Sequence, residues 1–201
     1  AHSLYATLPQ QVTRSVSDFL PMMTSNPYEN PSEPLSYQKL AVQMLTGRPS
    51  IYPLSTTEAW ALVNNMHPYV IPAGECFIVE DERNLNEFMM LILSGEVLIE
   101  SKISDGQILT LSVLKPGQWI GELGLLDGGA RQATCSAAEG QDVTCAILNK
   151  NELLMLLEKH PQLASKLILL LASNTAQSLR ELHQKICRYA EIHSVIRDSS
   201  L

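Results

Sequence analysis

No stretch of the 201-residue chain reaches the roughly 18 consecutive apolar residues that a membrane-crossing helix needs. The most apolar piece, residues 167–172, is far too short, so no membrane span is expected. No secretory signal peptide is recognisable at the start, where Ala1, His2 and Ser3 stand without an initiator methionine. Cysteine is sparse and scattered. Cys76, Cys135, Cys145 and Cys187 form no CxxC pair and no dense framework, which fits reduced thiols and a cytoplasmic location. Basic charge is short as well. With 14 Lys and Arg against 21 Asp and Glu, the formal net charge is −7, which argues against a broad nucleic-acid footprint. Catalytic signatures are missing: there is no GxSxG, P-loop, HExxH or GxGxxG. No enzyme and no catalytic residue are expected, and Cys135 reads as a buried thiol because no histidine is placed beside it. Nor is a metal centre expected. His183, Cys187 and Glu191 share a helix face at i, i+4 and i+8, but no second element completes a coordination sphere.

What is present falls into three zones. Residues 1–50 read as an arm interrupted by prolines, with short helices at residues 10–19 and 37–45 and a linker over 25–34. Ser55 followed by Glu58 is a capping-box signature, and the helix it opens is expected to run to about Met66, before Pro68. From there to residue 148, strand-like runs alternate with turn signals: residues 76–79, 88–93, 97–103, 108–114, 133–137 and 143–148. Short strands at that spacing with no helix between them indicate a sandwich or barrel rather than a parallel sheet. Residues 149–201 are helical. Asn149 and Glu152 form a second capping box, Pro161 starts a long helix to about Tyr189, and His67 and His160 stand beside prolines at helix ends as structural residues. Leu163, Leu167, Leu170, Leu171, Asn174, Ser178 and Leu182 trace a partly apolar stripe along the long helix.

The segment GELGLLDGGARQATCSA, residues 121–137, interrupts the strand-rich zone. Glu122 to Leu126 make one turn of helix behind Gly121, and Asp127-Gly128-Gly129 ends it, so free backbone N–H groups face one point. Arg131 follows where the chain returns to a strand, and its planar cationic fork suits a phosphate. Glu122 repels phosphate but accepts hydrogen bonds from hydroxyls. The pair therefore asks for an anion and a hydroxyl close together, which a ribose phosphate supplies. Its rival is a plain salt bridge across a turn, with side chains filling the space.

Ile120 to Leu126, a short insert, and then Arg131-Gln132-Ala133-Thr134 resemble the phosphate-binding cassette of cyclic nucleotide-binding domains, found in catabolite activators and kinase regulatory subunits. Similar turns stand at Pro72-Ala73-Gly74-Glu75, Ser94-Gly95-Glu96 and Lys115-Pro116-Gly117-Gln118, and the resemblance spans about residues 52–190. It implies an eight-stranded double-sheet jelly roll with N-terminal helices and a long C-terminal helix, organised as an arm (1–50), a ligand-binding roll (51–148) and C-terminal helices (149–201). It also implies a sensor for cAMP or cGMP. Glu122 takes the ribose 2′-hydroxyl, Arg131 and the backbone around Gly121, Leu123, Gly124 and Ala133 hold the cyclic phosphate, and Gln132 and Thr134 complete the cassette. The long helix serves as a lid, with Thr175, Ser178 and Arg180 as donors. Family members often carry alanine, serine or threonine where this chain has Gln132, which leaves the purine open. Only about a dozen residues follow Tyr189, too few for the helix-turn-helix of the activators, so a protein effector or a homodimer along the C-terminal helix is the expected output. The alternatives are an interaction module with an empty pocket and a cyclic dinucleotide receptor.

Overall fold

Alternation along one strand explains the layering. The computed structural model describes residues 35–47, 51–83, 87–103 and 106–198. Strand β3 (Phe88–Ser94) is buried on both faces. Met89, Leu91 and Leu93 point to one apolar cluster, while Phe88, Met90 and Ile92 point to another. Such period-two sorting makes β3 the wall between two cores.

Around it run β1 (His67–Ile71), β2 (Cys76–Ile78), β4 (Val97–Lys102), β5 (Ile108–Leu114), β6 (Trp119–Ile120), β7 (Thr134–Ala137) and β8 (Val143–Asn149). One sheet has the order β1-β8-β3-β6 and the other β2-β7-β4-β5, with every pairing antiparallel. Eight strands in two sheets make the expected jelly roll. Ile71, Phe77, Val97, Ala137, Val143 and Cys145 fill the space between the sheets.

The other core holds the helices against the outer face of the first sheet. These are α1 (Leu35–Thr46), α2 (Thr56–Val63), α4 (Lys150–Lys159) and α5 (Pro161–Asp198). Ala41 and Leu45 of α1, Leu62 of α2, and Leu163, Leu167 and Leu171 of α5 meet Met89, Leu91 and Leu148 there. Leu62, Leu167 and Leu171 are fully buried, and each contributes roughly 1.5–3 kcal/mol of transfer free energy.

Two strands escaped the sequence reading. The helix expected to reach Met66 stops at Val63, and His67–Ile71 is strand β1 despite Pro68. Pro68 is tolerated because β1 is the edge of its sheet. His67 therefore lies on a strand rather than at a helix end, and its Nε2 is hydrogen-bonded to the Glu152 carboxylate. Strand β6 has only two residues, too few to show a period. Helix α5 runs beyond Tyr189 to Asp198. The helix expected at residues 10–19 and the linker expected at 25–34 lie outside the described residues.

Candidate functional site

Gly121 has φ +81°, in the left-handed region where a side chain is strained, and it opens the short helix α3 (Glu122–Asp127). Gly128, at φ +67°, closes that helix by donating its N–H to the Gly124 carbonyl at 3.0 Å. The glycines do more than bend the chain. A Cβ on Gly121 would stand 2.8 Å from Arg131 Nη1, and one on Gly124 would stand 3.3 Å from the same nitrogen. The guanidinium lies in the space that their missing side chains leave.

Arg131 is 7% exposed. Its Nη1 donates to the Gly121 carbonyl at 3.2 Å, and Nη1 and Nη2 reach the Phe88 carbonyl at 3.5 Å. The Phe88 ring stacks beneath, 4.5 Å from the guanidinium carbon. These contacts orient the fork without neutralising it. Among the described residues no ion pair joins Arg131 to Glu122 or to any other carboxylate. Burial lowers the Arg131 pKa, while the fields of Cys135, Glu82, Glu87 and Glu122 pull the other way. Burial likewise pushes the Glu122 carboxyl above its ordinary range, offset by its own backbone N–H and by Arg131.

Both side chains line a cavity of about 640 Å³, a volume suited to a nucleotide-sized ligand. Gly121, Glu122, Leu123, Gly124, Arg131, Gln132 and Ala133 all face it, so seven of the eight residues expected in the cassette converge. Thr134 does not. Strand alternation turns its side chain away, and its Oγ1 accepts the Glu80 N–H at 3.1 Å. Cys135, next along β7, lines the cavity instead. Its thiol pKa is pushed up to about 12 by burial, so it holds no thiolate at neutral pH.

Of the expected lid residues, Ser178 lines the cavity. Thr175 bonds back to the Leu171 carbonyl at 3.0 Å, and Arg180 faces a neighbouring cavity. Asn174, Gln177, Glu181, Leu182 and Lys185 join Ser178 on the cavity side of α5. With Ser178 they follow i, i+3, i+4, i+7, i+8 and i+11, one helix face. Asn174, Ser178 and Leu182 already stood out on the partly apolar stripe, and the polarity of Asn174 and Ser178 was the signal that this face lines a cavity rather than a dry core. Gln177 Nε2 donates to Glu181 Oε1 at 2.9 Å, and Lys185 Nζ reaches the Leu111 carbonyl on β5 at 3.4 Å.

The fold and the cassette resemble those of cyclic nucleotide-binding domains. Residues 69–160 match the model of the family "Cyclic nucleotide-binding domain". It is similar to the cyclic AMP receptor protein of Thermus thermophilus, at 29% identity over 138 residues, covering 69% of this chain and 62% of that protein. A CRP-like cAMP-activated global transcriptional regulator of Mycobacterium tuberculosis is 28% identical over 112 residues, covering 56% of this chain and 48% of its own length. The chain thus spans about half to three fifths of the curated relatives it matches. Among solved structures, a cyclic nucleotide-binding domain from Methylobacillus flagellatus superposes with a TM-score of 0.68 at 26% identity, covering 75% of this chain and 82% of that one.

Proposed function

We propose that the chain is a non-enzymatic sensor that binds a cyclic mononucleotide between the cassette and helix α5. A buried guanidinium carries this reading: Arg131 is charged, unpaired with any carboxylate among the described residues, and turned to a cavity of about 640 Å³. A guanidinium presents five N–H donors. Contacts to the Phe88 and Gly121 carbonyls leave the rest of the fork for the cyclic phosphate, and Glu122 accepts from the ribose hydroxyl. Asn174, Gln177 and Ser178 on α5 face the purine. Both curated relatives are named for cAMP, which puts cAMP ahead of cGMP.

The signal leaves through α5. Leu179, Leu182, Ile186 and Tyr189 are more than half exposed and follow a 3-4-3 spacing, the a/d seam of a two-stranded coiled coil. A second copy of the chain is the partner this seam suits, and ligand contact at Asn174 to Lys185 bears on the same helix.

Calorimetric titration with cAMP, cGMP and a cyclic dinucleotide tests the reading. The native chain should bind a mononucleotide, and Arg131→Ala should weaken it at least about tenfold, since a charge-assisted hydrogen bond is worth roughly 1.5–3 kcal/mol. Glu122→Gln, which keeps the side chain's shape, should weaken binding more modestly. Circular dichroism checks that the variants stay folded. A native chain that takes up none of these ligands, or a folded Arg131→Ala that binds like the native chain, would return the domain to an interaction module with an empty pocket.

A further inference from the structure

A second cavity, of about 430 Å³, lies between the C-terminal end of α1 and the first half of α5. Its floor is apolar: Leu45, Leu91 and Trp119 are each under a tenth exposed. Its α5 wall is polar. Ser173, Asn174, Gln177 and Arg180 stand at i, i+1, i+4 and i+7 on one helix face. Among the described residues, Arg180 is the single charged side chain in the lining, no carboxylate lines the cavity, and Arg180 makes no ion pair.

An apolar floor beside a polar wall that carries one cation suits a ligand with two unlike ends. A cyclic nucleotide would have to seat part of its polar sugar and base on Leu45, Leu91 and Trp119, which offer those groups no partners. A cation meets Arg180 and is repelled. A neutral hydrocarbon fills the apolar floor but makes no use of Arg180. We propose that this cavity binds an amphipathic acid: a hydrocarbon or aromatic body seated on Leu45, Leu91 and Trp119, with a single carboxylate against Arg180. Ser173 lies along the same wall and does not face the cassette cavity, so a bulky residue there blocks the second site alone.

Trp119, Asn174 and Gln177 line both cavities. An acid seated here therefore shares a wall with the cassette cavity and is placed to alter what α5 presents to it. This coupling, unlike the binding itself, rests on the proposed function.

The test is an isothermal titration of the whole chain with decanoate, kept below its micelle concentration, alongside decylammonium. Decanoate should bind at one site and decylammonium should not. Arg180→Gln should weaken decanoate measurably, by up to about fivefold, the effect of one exposed charge contact. Ser173→Phe should abolish binding while the circular dichroism of the helices is retained, and Arg131→Ala should leave it unchanged. Should Ser173→Phe fail to fold, Arg180→Gln decides alone, because an exposed helix arginine is dispensable for folding. No saturable heat with the native chain, equal affinity in Arg180→Gln, or equal binding of decylammonium overturns the proposal. Because Arg131→Ala reads the cassette and these variants read the second cavity, either reading can fail without the other.

Discussion

At Gly121 a methyl group has nowhere to go. It would meet Arg131 Nη1 and the Phe88 carbonyl, each at 2.8 Å, on a residue already at φ +81°. Gly74 has a similar φ of +74° but nothing within 4 Å of its Cβ position. Both alanine variants should therefore lose about 1 kcal/mol to backbone strain. Only Gly121→Ala should also displace the guanidinium and lower cyclic nucleotide affinity, so melting and titration read together separate the two effects. His67 makes a second residue-scale prediction. Its hydrogen bond to Glu152 raises the imidazole pKa, against the lowering effect of burial. The folded value lies above the unfolded one, so the added stability is fully present below about pH 6.5 and fades as pH rises through the folded value. His67→Gln should flatten that stretch of the melting-temperature profile, by a small amount because the side chain is 56% exposed.

Capping chemistry ties helix to helix. Ser55 Oγ accepts the Glu58 N–H at 3.2 Å, and the Glu58 carboxylate accepts the Ser55 N–H at 2.8 Å. Lys166 of α5 adds contacts of 2.7 and 2.9 Å to the same carboxylate. Lys166 first, and then Ser55, hold the Glu58 pKa down to about 2. Ser55→Ala should cost about 1 kcal/mol. Glu58→Gln should cost more, since it also cuts the link from α2 to α5. The folded pKa is depressed, so the difference between native chain and Glu58→Gln should be complete above pH 4.5 and shrink as pH falls towards about 2. Both capping boxes were legible in the sequence because each is local, a cap and an acid three residues on. Strand β1 was not, because Pro68 reads as a breaker until the sheet order shows it at an edge. That residues of the 121–133 segment gather around one cavity could be read because one short segment carries them. Thr134 could not, since which way β7 turns its side chains depends on its pairing with β2 and β4. The α5 wall was hidden for a similar reason: Gln177, Glu181 and Lys185 look like solvated helix residues until the roll lies against them.

On the scale of the whole molecule, an apolar seam is left open. Leu179 is 66% exposed, Ile186 57% and Tyr189 72%, in a register that a second α5 would cover. Ile186 lines neither cavity, so Ile186→Glu should convert a dimer to a monomer by sedimentation velocity without removing the cassette. A native chain that sediments as a monomer would rule out this seam as a self-association surface. The length of α5 gives that seam leverage. Its 38 residues extend about 57 Å. Tyr189 lies fifteen residues past Asn174, about 22 Å along the axis. A tilt of about 10° pivoting at Asn174 would carry that tyrosine sideways by about 4 Å. Such a stroke is wide enough to pull neighbouring side chains out of contact, even if the base of the rod hardly shifts.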